Sequence, residues 1–166
     1  MNSTVLGERI VVPPIGFDPS CRAISLPPLH LFRRLEDKQF SMMEAAFLRT
    51  GGLAIDNLVA HQLRRHEGQP VSVLARWIVR RQIVCLPWKS HTLVPLFQFN
   101  AQEMTLCPGI SEILGELVGV FDDWEIAHWF STPNAWLDDA TPADAFARDS
   151  AAVHDAARAD RFIAHG

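Results

Sequence analysis

The sequence predicts a mainly helical protein with one small β-hairpin. Apolar residues recur at helical spacing over most of the 166 residues, and only two short β-branched and aromatic runs interrupt them. This length is enough to bury a substantial core. We divide the chain into an N-terminal arm with the first helix (residues 1–40), a winged helix-turn-helix-like region (41–100) and a small helical domain (101–166).

The N-terminal part begins as an extended arm. Its prolines disfavour a packed helix because each fixes φ and removes a hydrogen-bond donor. They are Pro13, Pro14, Pro19, Pro27 and Pro28. Residues 29–49 are helix-prone, with a break or bend expected at 36–40, and Gly51-Gly52 ends this helix.

The middle of the chain predicts two helices and then a hairpin. The helices cover residues 54–66 and 72–82, and Ser72 is a candidate cap for the second. Strands follow at 83–88 and 93–97, and their prolines suggest edge strands. This is the order of a winged helix-turn-helix, whose second helix enters the DNA major groove.

Charge is segregated in a way that suits this interpretation. The formal net charge is −4, yet residues 61–102 carry six basic side chains against one acid, and residues 103–166 carry twelve acids against three bases. Arg76 and Arg80 lie four residues apart on one helical face. The predicted DNA-binding residues are Ser72, Arg76, Arg80 and Lys89. Internal charge pairing between the segments, or arginines that only keep a helix soluble, remain alternatives.

The last third has clear helix signals. The spacing of apolar residues predicts helices at 109–120 and 153–163. Asp122 or Asp123 caps a helix that ends near Ser131, since Pro133 follows, and Thr141-Pro142 starts the next one. The connection between them, residues 134–139, contains Trp136 and Leu137. These two side chains either fold into the core or meet a partner.

Two sets of motifs resemble the Xre/MbcA/ParS class of bacterial antitoxins. The first runs from Leu74-Ala75-Arg76-Trp77 through Val94-Pro95-Leu96-Phe97-Gln98-Phe99 to Ile113-Leu114, and the second is Pro133-Asn134, Leu137 and Thr141-Pro142. The resemblance covers roughly residue 52 to the C-terminus. It implies a dimeric antitoxin that inhibits a RES-domain toxin, which depletes NAD⁺, and that represses its own operon through the N-terminal half.

The resemblance also implies where a toxin binds. Residues 161–166 resemble the C-terminal end that lies against the toxin in this class. The predicted partner-binding residues are Asn134, Trp136, Leu137 and Arg161. Asn134 and Thr141 are expected to hold the connection's shape by local hydrogen bonds. The chain departs from the class in its longer turn at 66–70 and in the arm before Ser41.

The sequence gives little support for a metal site, a cofactor site, a catalytic site or a membrane segment. Three cysteines at unrelated spacings indicate a reducing, cytoplasmic setting, and we expect no metal, no cofactor, no catalytic residue and no membrane segment. The expected partners are a RES-domain toxin, duplex operator DNA and a second copy of the chain. A standalone DNA-binding regulator and a dimeric structural protein without a toxin are the alternative functions.

Overall fold

The computed structural model describes residues 29–67 and 70–166, with side chains for 35–63 and 73–166. The expectations for residues 1–28 lie outside the described residues. The α-helices of the described part are α1 Leu29–Leu48, α2 Asp56–Glu67, α3 Pro70–Val79, α4 Ile110–Leu117, α5 Asp123–Ser131, α6 Pro142–Phe146 and α7 Ser150–His165. The strands are β1 Leu53–Ile55, β2 Leu86–Trp88 and β3 His91–Pro95, and short 3₁₀ helices cover Leu96–Gln98 and Ala135–Leu137. The predicted fold class, mainly helical with a small antiparallel sheet, is confirmed.

The sheet is larger than a hairpin. β1 and β2 both pair antiparallel with β3, so β3 is the central strand in the order β1-β3-β2. The prediction that both strands of the hairpin are edge strands is therefore wrong for β3. Pro95 is tolerated because it lies at the last paired position of that strand, opposite Leu53. β1 was not predicted, since three residues are too few for a period to show.

Two predicted helix boundaries also differ. α1 is a single unbroken helix from Leu29 to Leu48, so the break considered at 36–40 is absent, and the helix crosses the expected boundary at residue 40. α3 begins at Pro70, so Ser72 lies inside the helix and is not its N-cap. Proline fits the first turn because no donor is needed there. The side chain of Ser72 lies outside the described side chains.

Two hydrophobic clusters form the core. One cluster is formed by α2, α3 and one face of the sheet, and it contains Val59, Leu63, Leu74 and Val94. The other joins α1 to α4, α5, α6 and α7, with Phe47 and other large apolar side chains at its centre. The α1 helix thus packs into the C-terminal cluster.

Buried Gln98 ties the segment before β2 to the end of β3. Its side chain is 0% exposed. The Oε1 atom accepts from the Val84 N–H at 2.7 Å, and Nε2 donates to the carbonyls of Val84 at 2.8 Å and Pro95 at 2.9 Å. One side chain therefore supplies the partners that a neighbouring strand would otherwise provide.

Arg81 joins the end of α3 to the C-terminal helices. The Gln82 N–H donates to the Trp77 carbonyl and the Arg81 N–H to the Ile78 carbonyl, the pattern of a Schellman cap, with Arg81 at a left-handed φ of 50°. Its guanidinium donates to the carbonyls of Val118 and Phe121 after α4 and to the Asp123 carboxylate, each at 2.9 Å. These contacts fix the position of α3 against α4 and α5.

Candidate functional site

The connection between α5 and α6 is shaped by short-range hydrogen bonds. Asp122 caps α5 in a capping box with Glu125, and Thr141 caps α6 by accepting from the Asp144 N–H at 3.1 Å. Asn134 Oδ1 accepts from the Trp136 N–H at 2.9 Å. The predicted local hydrogen bonds of Asn134 and Thr141 are confirmed, but Asn134 is buried, so its predicted place on a partner surface is wrong.

The Asp160 carboxylate of α7 gathers three donors from this connection and from α5. Its Oδ2 accepts from Trp129 Nε1 at 2.7 Å and from Asn134 Nδ2 at 2.8 Å. Its Oδ1 accepts from Trp136 Nε1 at 3.2 Å. We call these four residues the Asp160 clasp. Bonds to a charged acceptor are stronger than neutral ones, so the clasp fixes the connection against α7.

The neighbouring side chains of Trp136 and Leu137 differ in burial: Leu137 is buried and Trp136 is exposed. Leu137 is 9% exposed and packs in the C-terminal core cluster, so its predicted place on a partner surface is wrong. The 3₁₀ turn at Ala135–Leu137 directs these neighbouring side chains differently. Trp136 is 62% exposed although its indole nitrogen is bonded to Asp160.

Beside Trp136, the last turns of α7 expose further apolar area. Phe162 is 81% exposed and Ile163 is 64% exposed. Together with Trp136 and Ala159 they line a groove of about 590 Å³, whose rim carries charged side chains of α7. We call this surface the Trp136 groove. Contiguous apolar surface with a polar rim is typical of protein–protein contact sites.

Arg161 lies at the rim of this groove but already has a partner. Its Nη1 is 2.7 Å from Oε2 of Glu116 on α4, while His154 Nε2 is 3.5 Å from the other oxygen. At 2.7 Å, Arg161 and Glu116 form a close ion pair. Arg161 therefore ties α7 to α4 and remains less than half exposed.

The α3 helix presents a basic face. Leu74, Trp77 and Ile78 turn towards the cluster formed with α2 and the sheet. Arg76, and Arg80 one residue beyond the end of α3, are exposed on the other side. Their exposed guanidinium groups can contact an anionic surface.

Lys89 is placed differently from these arginines. It occupies the β2–β3 turn, where its Nζ lies 4.0 Å from Asp37 of α1 and 5.3 Å from the ring centre of Trp88. Trp88 in turn stacks on Phe40 and Trp124. The contacts of Lys89 are thus with α1 and the aromatic stack, and none of its contacts in the described chain joins it to α3.

A cavity of about 820 Å³ lies between the end of α1, α2 and α6. Its walls are mainly apolar, and the Arg49–Asp144 pair at 3.7 Å stands at its edge. Within the described residues, no group of three or more His, Cys, Asp or Glu side chains is arranged to hold a metal ion. No helix of the described segments is long and apolar enough to cross a membrane.

The two cysteines of the described segments, Cys85 and Cys107, are not poised for thiolate chemistry. Burial, and after it the Asp123 carboxylate, raises the pKa of the Cys85 thiol to about 11, against a smaller opposing effect of Arg81. Burial also raises the pKa of Cys107. Both thiols therefore stay protonated at neutral pH.

Comparisons with protein-family profiles, curated proteins and solved structures give no match. Sequence reasoning missed Asp160, Trp129 and Glu116 as parts of this region. Asp160 lies 24 and 31 residues from its tryptophan partners, and no local pattern links them. Of these three residues, only Trp129 could be suspected from the sequence, because it is one of several aromatic residues near the connection.

Proposed function

We propose that this protein is an antitoxin-like binding protein that uses the Trp136 groove to bind and neutralise a RES-type, NAD-depleting toxin. The observation that carries the proposal is the exposure of Trp136, Phe162 and Ile163 on one surface at the end of α7. Exposed aromatic side chains in a groove are the usual anchors of protein interfaces. The motif resemblance supplies the identity of the partner.

The charge of the region supports the same role. Residues 103–166 carry a large acidic excess, which favours a partner with a basic surface. Within the groove itself, Arg158 is 3.0 Å from Asp155, so this pair leaves little net charge beside the apolar side chains. The groove would thus supply apolar contact while the surrounding acids steer the encounter.

The test uses the RES-domain protein encoded beside this gene. Binding is measured by calorimetry, and NAD⁺ consumption by the toxin is followed in parallel. Trp136→Ala is expected to weaken binding by about 2 kcal/mol or more, roughly thirtyfold, as for a hot-spot aromatic. The matched control is Met42→Ala on α1, because Met42 is equally exposed at 65% and does not line the groove.

Three results would refute the proposal. They are the lack of a RES-domain neighbour, NAD⁺ consumption that the protein leaves unchanged, and equal affinity of wild type and Trp136→Ala. Thermal unfolding of each variant separates lost binding from lost folding. Because its ring is more than half exposed, Trp136→Ala should cost far less stability than the 3–5 kcal/mol typical of a core tryptophan.

A second function, operator binding, has its own support. The order α1-β1-α2-α3-β2-β3, with β1 beside β3, is that of a winged helix-turn-helix, and α3 presents Arg76 and Arg80 outward. We infer that α3 meets duplex DNA as the recognition helix of a homodimeric repressor. Without a toxin partner, the same features suit a standalone regulator.

Mobility-shift titrations on the gene's upstream region at several salt concentrations test this inference. Arg76→Ala/Arg80→Ala should weaken binding and lower the salt slope by about two, one per lost phosphate contact. Arg148→Ala, an exposed arginine in the acidic half, is the control. An unchanged slope in the double variant, or a monomer mass by light scattering at micromolar concentration, contradicts the repressor hypothesis.

A further inference from the structure

The Trp136 indole has an unusual combination of exposure and restraint. Its ring is 62% exposed, yet its Nε1 donates to Asp160 and its backbone N–H donates to Asn134. Exposed tryptophans without such bonds sample several rotamers, and binding a partner must then order one of them at a cost in entropy. Here the restraint exists before any partner arrives.

Asp160 is the centre of that restraint. It also accepts from Trp129 and Asn134, so its carboxylate is held by α5 on one side and by the connection on the other. The Asn134 side chain uses both ends, because its Oδ1 bonds the Trp136 backbone and its Nδ2 bonds Asp160. Each group in the clasp limits the freedom of the next.

We propose that Asp160 is a positioning residue that presents the face of the Trp136 indole to the partner. The inference rests on the proposed function of the Trp136 groove. It adds a statement about the partner's chemistry: since the indole N–H is already satisfied within the chain, the partner meets Trp136 with apolar atoms and supplies no acceptor to Nε1.

The first test needs only the free protein. The chain has five tryptophans, and each gives one indole signal in a ¹H–¹⁵N spectrum. Asp160→Asn is expected to shift the signals of Trp129 and Trp136, assigned by phenylalanine variants, and to leave the other three in place. Glu112→Gln, at an exposed acid of α4 that does not line the Trp136 groove, is the control and should shift neither. An unmoved Trp136 signal in Asp160→Asn overturns the inference.

The second test measures affinity for the adjacent RES-domain toxin in a double-mutant cycle. Asp160→Asn should weaken binding about tenfold in the wild-type background and have no further effect once Trp136 is alanine. A purely structural role of Asp160 would weaken binding equally in both backgrounds and overturn the inference.

Trp136→Phe keeps the test decisive if Asp160→Asn folds poorly. It keeps an aromatic ring but lacks the indole N–H that bonds Asp160, so it should lose about as much affinity as is expected for Asp160→Asn, and less than Trp136→Ala. A loss as large as that of Trp136→Ala would overturn the inference, because the face of the ring would then contribute nothing to binding. If wild type fails to bind the toxin while the indole signals shift as expected, the proposed function fails and the restraint in the free protein stands.

Discussion

Replacing Gln98 with methionine tests the buried hydrogen bonds that join the segment before β2 to the end of β3. The substitution keeps an unbranched side chain of similar length and removes the amide. It leaves the Val84 N–H without its 2.7 Å acceptor and takes one donor from each of two carbonyls, Val84 and Pro95, in a place where Gln98 is fully buried. A buried group that loses its partner costs about 1–3 kcal/mol, and an under-satisfied carbonyl costs less than an orphaned N–H.

We expect Gln98→Met to lose about 3 kcal/mol of unfolding free energy, most of it from the Val84 N–H. For a chain of this size, that loss lowers Tm by about 6–12 °C. Urea and thermal unfolding followed by circular dichroism measure both quantities. Gln102→Met, at an exposed turn, is the control and should change stability by less than about 0.5 kcal/mol. A loss below about 1 kcal/mol in Gln98→Met would refute the argument, because the three bonds would then be replaceable.

Two further variants test the contacts around Arg81. Arg81→Ala should destabilise the fold by about 2 kcal/mol or more, since three bonds to α4 and α5 disappear while the left-handed φ remains. Arg81→Gly should be about 1 kcal/mol more stable than Arg81→Ala because glycine adopts that φ freely; equal stabilities contradict the strain argument. For Cys85, the raised folded pKa of about 11 means that the unfolded thiol ionises first, so stability falls as pH rises from about 9 to 11. Unfolding curves over that range should show a steeper loss than those of Cys85→Ala, and parallel slopes would disprove the contribution.

The helix ends could be predicted from the sequence because they depend on neighbours. Asp122 and Thr141 accept from N–H groups three residues ahead, and Pro142 starts α6 where no donor is needed. Such bonds form within one turn of chain. The same holds for the turn at Asn134, whose side chain bonds an N–H two residues away.

The sheet and the candidate site depended on distant residues. β1 is too short to recognise alone, and only its pairing with β3 makes it a strand. Leu137 and Trp136 are adjacent and both apolar, so composition could not assign one to the core and the other to the surface. The assignment follows from how the connection lies between α5 and α7.

By itself, the sequence determined the helical class, the capped helices of the last third and the outward pair Arg76 and Arg80, since periodicity and capping are properties of short segments. Tertiary structure alone decided the central place of β3, the burial of Leu137 and the clasp around Asp160. These features join residues tens of positions apart, and chain spacing carries no information about which of them meet once α7 packs against α4 and α6.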